Sequence, residues 1–460
     1  MKIKSLVITL SVVGAVTLSY NAYSSHNERC SRPIRTGVDL SNCNILAVPK
    51  LPEDVLNNIL LVNTEFQSNV ILNHTIIHDS NLENVNFKGG SEMKGSKVQG
   101  NTNLINAKIE RSYLQGLVVD TQYVNGASFI DSDLTDAKFI NKSINLSGVK
   151  LKGATLNNTD LSNIDFGNID LKEVNLSKAI LTNADLRHVK NLNSAVLRAS
   201  DNNGNGLSGA NLNGYKFKDV HYDFSYLKMK DIKLENAVIE KREVSLNHAD
   251  LTNATANGIK VDEVDASNSI WKGAKLSNSI FGAYVDLTNA NLEDATLNGA
   301  KFDAHIKLTN ANLKNVTMLG STFFAVSLGN TNLFGIKANG SDFRGSWFDE
   351  KTNLVNADLT KVDLRNTNDF KKAILRTKDN SGKEQTIKSL SGADLSGLDL
   401  SGLNFKKINI SGAVLKGADL TKAKFDDDLY AQLEGVNLSG ATWTDGRTCA
   451  EGSIGFCKGR

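Results

Sequence analysis

Proline is almost missing from this sequence. Of 460 residues only Pro33, Pro49 and Pro52 are proline, and none occurs in the 408 that follow. Proline removes a backbone N–H and fixes φ, so it is excluded wherever every N–H is needed in a ladder between chains or coils. An excess of charge is missing as well. Lys plus Arg number 52 against 50 acidic residues, and the first 24 residues hold Lys2, Lys4 and no acid, so the rest is balanced. A neutral chain with interspersed charges carries no electrostatic footprint for nucleic acid and no acidic surface that would imitate one.

Catalytic signatures are missing too. No GxSxG, CxxC, P-loop or HExxH occurs, and the seven histidines are scattered. His74 and His78, the closest together, are expected on different sides of a coil of short strands rather than on one helix face. With 40% hydrophobic and 22% charged residues, the chain is nonetheless too apolar for disorder and long enough for a large folded unit. No catalytic, cofactor-binding or metal-binding residue is assigned, and no cofactor or enzyme activity is expected.

The N-terminus, MKIKSLVITLSVVGAVTLSYNAYSS, has two lysines, an apolar run from Leu6 to Leu18, and small residues at Ala22 and Ser24. This reads as an export signal over 1–24 with cleavage near Ser24. A membrane anchor is the alternative, but the run falls short of the roughly 20 apolar residues that a span needs. No lipobox precedes Cys30. The expectation is an exported protein, periplasmic or secreted, without stable membrane insertion. Four cysteines, Cys30, Cys43, Cys449 and Cys457, are an even set suited to disulfides, with three pairings open.

What the chain has in abundance is a period of five. From Ser391 to Phe425, the residues Leu395, Leu400, Phe405, Ile410, Leu415, Leu420 and Phe425 are evenly spaced. Two positions before each lies another apolar residue, Ala393, Leu398, Leu403, Ile408, Ala413, Ala418 or Ala423. A helix turning about 100° per residue cannot keep such residues on one face, and in a continuous strand an odd period flips them from side to side. The period works only if the chain turns after every unit: a very short strand with two inward residues, then a corner. Asp and Asn beside each Leu are expected outward and solvated. The same register runs from Leu146 to Leu186 and in blocks over residues 66–442. FGAYVDLTNANL from Phe281 and FDAHIKLTNANL from Phe302 are near copies one 21-residue step apart, which makes a coil about four sides long with a bulge stacked at one corner.

The motifs ADLSG, VNLSG, ANLNG and ADLTK resemble the consensus of the pentapeptide-repeat family. The resemblance covers about four-fifths of the chain. It implies an all-β fold, a right-handed quadrilateral β-helix of about 18 coils. Cysteines at opposite ends of such a solenoid pair locally, as Cys30–Cys43 and Cys449–Cys457. The expected organisation is a signal at 1–24, an N-terminal cap at 25–65 with the first disulfide and a short helix in LPEDVLNNILL from Leu51, the β-helix at 66–442, and a disulfide cap at 443–460. Trp443, Asp445, Gly446, Cys449, Gly452, Ser453, Gly455 and Cys457 resemble a tail found on exported members, which implies a glycine-rich lid rather than a metal or redox centre.

Two interruptions share a frame. Leu197, Arg198, Asp201, Asn202 and Gly204 align with Leu375, Arg376, Asp379, Asn380 and Gly382, 178 positions on. Asp-Asn-x-Gly is turn chemistry, so loops leaving the solenoid are expected at about 198–207 and 376–390. The bland reading of each is a tolerated insertion. The functional reading makes Arg198, Asp201, Arg376, Lys378, Asp379, Lys383 and Lys388 partner contacts, with the outward Trp347 beside them. The function expected is a non-enzymatic exported scaffold that binds a protein or an anionic envelope component, with no nucleic-acid partner; a homodimer is left open. The family also implies an alternative, a DNA-mimicking gyrase-interacting protein of the quinolone-resistance type. Those members usually carry an acidic surface, which this chain lacks.

Overall fold

The computed structural model describes Cys30 and residues 36–45 and 55–459, except 58, 67–69, 71, 73, 74, 79, 84, 88, 89, 142, 202, 218, 219 and 241–243. The signal assigned to 1–24 lies outside the described residues.

Each place in the five-residue unit has a separate task. In the unit around Leu251, Leu251 is inward and fully buried, as is Ala249 two positions earlier. The Leu251 carbonyl accepts the Ala254 N–H at 3.0 Å, closing a four-residue turn. Asn253, the third residue of that turn, has φ 58°. A positive φ there marks a type II turn and selects Asn or Gly. Asp250, just before the leucine, accepts the Thr252 N–H on its Oδ1 at 3.1 Å. The recurring Asp or Asn is thus a turn cap. Coils then join by backbone bonds: Leu251 N–H donates to the Ile270 carbonyl at 2.7 Å, and Ile270 N–H to the Ala249 carbonyl at 2.9 Å.

The described chain divides into two compact units, Met1–Ala210 and Asn211–Arg460. In the first, Asn44–Ile45, Glu65–Phe66, Asn86–Phe87 and Lys108–Ile109 form one parallel sheet. A second comprises Val55–Asn57, Ile76–His78, Lys97–Gln99, Val118–Asp120 and Lys138–Phe139. In the second unit a six-stranded parallel sheet runs from Lys216–Phe217 to Thr322–Phe323. From its last three strands into the next coil, Phe281, Phe302, Phe323 and Phe343 stack inward at 4.6, 4.4 and 4.9 Å between ring centroids. Burying each such ring contributes roughly 1.5–3 kcal/mol. The 21-residue step appears as a widened corner: Tyr284 and His305 lie at the same place on successive coils and stack at 5.5 Å.

Three expectations are corrected. Among the described residues the turns that carry strands number about 12, not about 18. Elsewhere a side has too few extended residues to count as a strand, and single bridges such as Asp160↔Ile180 and Asp394↔Val414 continue the ladder. Secondly, residues 55–57 of the expected capping helix form a strand that pairs with Ile76–His78. A short helix buries less and nucleates poorly, whereas this stretch completes a sheet edge. Coiling has in fact begun by Val38: Leu40, Cys43, Ile45 and Leu61 are already inward and buried. Thirdly, a short helix, Leu429–Gln432, interrupts the expected repeat region.

Both disulfides are local, Cys30–Cys43 and Cys449–Cys457, with Cα–Cα distances of 5.4 and 4.9 Å. Among the described residues no helix is long and apolar enough to cross a membrane.

Candidate partner-binding surface

The second interruption departs furthest from the repeat. Arg376–Lys378 and Glu384–Thr386 pair as an antiparallel hairpin, in contrast to the parallel coils around it. Asp379 builds the turn. Its Oδ1 accepts the N–H groups of Ser381 at 2.9 Å and Lys383 at 3.0 Å, and its Oδ2 accepts the Gln385 amide at 3.0 Å. The Ser381 hydroxyl and the Gln385 amide, with those two N–H groups, hold the Asp379 carboxyl down at about 2.

Beside the hairpin the ladder opens. Among the described residues no bridge joins Asn368 to Asp399 or Ile374 to Asn404, where the coil spacing would place one. The 3-10 turn Phe370–Lys372 and the hairpin take up that space, leaving a cleft of about 190 Å³ lined by Ala373, Leu375, Ser401 and Leu403 among others. Side chains replace the lost backbone bonds. Arg376 Nη2 donates to the carbonyls of Asn404 and Lys406, both at 2.9 Å, while its Nη1 meets Glu384 at 2.6 Å. Lys371 Nζ reaches Asp399 at 2.5 Å and holds that carboxyl down at about 2, assisted by the Ser401 hydroxyl.

The sequence-derived contact residues therefore divide. Arg376 and Asp379 are occupied in building the hairpin and fixing it to the next coil. Lys378, Lys383 and Lys388 are exposed, with Lys388 4.0 Å from Asp358. Lys406 and Lys407, which sequence reasoning passed over, join the same patch: Lys407 reaches Glu384 at 3.3 Å and Lys406 reaches Asp427 at 3.2 Å. Their only signal in the sequence is a basic pair one coil beyond the insertion.

The first interruption, in the other unit, does not stand off. Asn205 N–H donates to the Ser177 carbonyl at 3.0 Å, and Leu207 is fully buried. Asp201 pairs with Lys178 at 2.7 Å, and Arg198 is exposed. Trp347 lies on a side of the second unit, 53% exposed, bridged to Ser327 and Asn368 through its backbone. Nearby on neighbouring coils Arg344 lies over the exposed Phe324 ring at 5.9 Å. Among the described residues no group of His, Cys, Asp and Glu is placed to hold a metal ion; His74 is outside them, and of His78 only the backbone is described.

A coil of four sides of about five residues, most of them closed by a turn of this kind and laddered to the next coil, defines a class. The model of the pentapeptide-repeat family matches eight copies, over residues 144–166, 150–187, 164–214 and 389–427. Those stretches are pentapeptide repeats, and the fold is that of a pentapeptide-repeat solenoid. Among solved structures it is similar to HetL of the cyanobacterium Nostoc, a pentapeptide-repeat protein involved in heterocyst differentiation regulation. Identity is 24%, over 52% of this chain and 91% of that one, with a TM-score of 0.23. Full-length QnrB1, a plasmid-mediated fluoroquinolone resistance protein, is 14% identical over 74% of this chain and 93% of its own, at a TM-score of 0.22. A pentapeptide-repeat protein of the Arabidopsis thaliana thylakoid lumen is 28% identical over 26% of this chain and 66% of its own, at 0.12. No curated protein matches the sequence.

Proposed function

We propose that the chain is an exported, non-enzymatic scaffold whose second unit holds an anionic partner through the 376–386 hairpin. The observation that supports this most is the division of labour in that hairpin. Arg376 and Asp379 spend their hydrogen bonds on rigidity, which leaves Lys378 and Lys383 held out on a fixed support next to Lys388. Pre-ordering a charged contact lowers the entropy lost on binding. The coils themselves turn leucine, phenylalanine and alanine inward and present turn caps outward, a construction suited to support rather than to convergent catalysis. Both disulfides and the N-terminal pattern of lysines and apolar residues favour an oxidising compartment. The gyrase-interacting alternative asks for an acidic surface, and the charge balance of 52 basic against 50 acidic residues speaks against it.

The test is a double charge reversal, Lys378→Glu with Lys383→Glu, which leaves Arg376 and Asp379 in place. Binding of the full chain to polyglutamate and to anionic lipid vesicles is measured at low and high salt. The expected result is at least tenfold weaker binding at low salt to one of the two, with the difference fading as salt screens the charges. Equal binding by parent and variant to both probes, at every salt concentration, would remove the hairpin from the account.

A further inference from the structure

The last coil of the second unit, residues 436–443, does not end in an open edge. Residues 446–458 turn back and cover it in the antiparallel sense, through bridges Asn437↔Ile454 and Thr442↔Thr448. Leu438 N–H donates to the Ser453 carbonyl at 2.8 Å and Gly440 N–H to the Cys449 carbonyl at 3.0 Å. In return the carbonyls of Ala441 and Val436 accept from Cys449 and Gly455, each at 2.9 Å. With the Trp443 N–H donating to the Arg447 carbonyl and the Trp443 carbonyl accepting from Gly446, six backbone groups of the coil are sealed by one short segment, where a bare edge would pair with other chains.

Apolar burial contributes little to holding that segment down. Its large apolar side chains, Ile454 and Phe456, are 48% and 51% exposed. Gly446, Gly452 and Gly455 all have positive φ, so a released segment regains much backbone freedom. Cys449–Cys457 joins two residues of the segment to each other, so it holds the segment in its covering shape rather than tying it to the coil. Cys449 is buried against the coil, whereas Cys457 is half-exposed, which leaves one sulfur of the bond open to attack.

We propose that residues 446–458 form a thiol-gated lid over a strand edge, closed when Cys449–Cys457 is oxidised and open when it is reduced. The reductant is a dithiol. Its thiolate attacks Cys457 Sγ, forming a mixed disulfide and releasing Cys449 as the thiolate. The second thiol of the reductant, as its thiolate, then attacks the mixed disulfide and releases Cys457. Two electrons pass to the cystine, and the reductant leaves as a cyclic disulfide. Opening bares the N–H groups of Leu438 and Gly440 and the carbonyls of Val436 and Ala441, an edge of the kind to which an extended peptide segment adds by strand pairing.

Amide hydrogen exchange on the full chain tests this, comparing oxidised protein, dithiol-treated protein and the double variant Cys449→Ser with Cys457→Ser. The expected result is at least tenfold faster exchange at Leu438 and Gly440 on reduction. The variant should show the same increase without reductant and no further change at these amides when dithiol is added. Amides one coil inside, at Leu415 and Leu420, should keep their protection. Unchanged exchange at Leu438 and Gly440 in the variant overturns the proposal, because hydrogen bonds alone then hold the lid. Equal loss at Leu415 and Leu420 overturns it too, because the bond then supports the coils rather than a lid.

Discussion

Asp160 and Leu161 are neighbours in the chain and meet opposite surroundings: Asp160 is exposed, whereas Leu161 is buried among the inward leucines. Leu161→Asp places a carboxylate in that interior without a partner, at a cost of about 3–5 kcal/mol. Asp160→Leu is not free either. Its Oδ1 caps the Ser162 N–H at 3.0 Å, and losing an exposed cap of this kind costs about 1 kcal/mol. Urea unfolding of the two variants checks the ordering; equal destabilisation would place the register wrongly. The caps carry a pH signature as well. The Lys371 ammonium holds the Asp399 carboxyl at about 2, below the roughly 3.9 of an unfolded aspartate. A depressed folded value stabilises the protein above the unfolded value, and that contribution disappears as pH falls through the folded one. The unfolding temperature should therefore drop between about pH 4 and pH 2. Lys371→Met should make that drop shallower, and an unchanged slope would remove the pair from the account.

At the scale of elements, what matters is how breaks in the ladder are filled. Arg376 fills one, and Gln432 fills another at the short helix Leu429–Gln432. Its side-chain amide donates to the carbonyls of Phe405 at 2.7 Å and Ile408 at 3.2 Å, and its Oε1 accepts the Asp426 N–H at 2.8 Å. Gln432→Leu leaves those groups unpaired in a buried place, each costing about 1–3 kcal/mol. A loss in unfolding free energy of at least about 2 kcal/mol is expected by denaturant titration, and a neutral result would mean that water replaces the amide. Neither plug could be read from the sequence, since each acts on a coil that only the fold brings near. The coils themselves were legible because the five-residue alternation of side chains states which positions turn inward. The two interruptions show where such reading fails. Both carry the Asp-Asn-x-Gly frame, yet only the second forms a projecting hairpin. A side chain at Gly204 would lie 2.2 Å from the Ser177 carbonyl, whereas Gly382 has nothing within 4 Å. The first glycine serves close packing and the second a free turn, and one letter stands for both. The helix expected from Leu51 failed for a related reason, since its Pro-Glu-Asp start signal is local and the waiting sheet edge is not.

At the scale of the whole molecule, each unit is built of layers that touch only their neighbours, so its stability should be close to a sum over coils. The near copies beginning at Phe281 and Phe302 allow a direct trial within the second unit. Removing residues 282–302 joins Phe281 to Asp303 and takes out one complete coil, while the stacked phenylalanines continue through Phe323. Removing residues 282–299 instead takes out a similar length but breaks the five-residue register. Thermal unfolding followed by far-UV circular dichroism on both deletions measures the claim. The whole-coil deletion should keep the parent spectrum and a cooperative transition within a few degrees of the parent, and the out-of-register deletion should lose both. Two deletions that behave alike, either both folded or both unfolded, would contradict a molecule made of interchangeable coils.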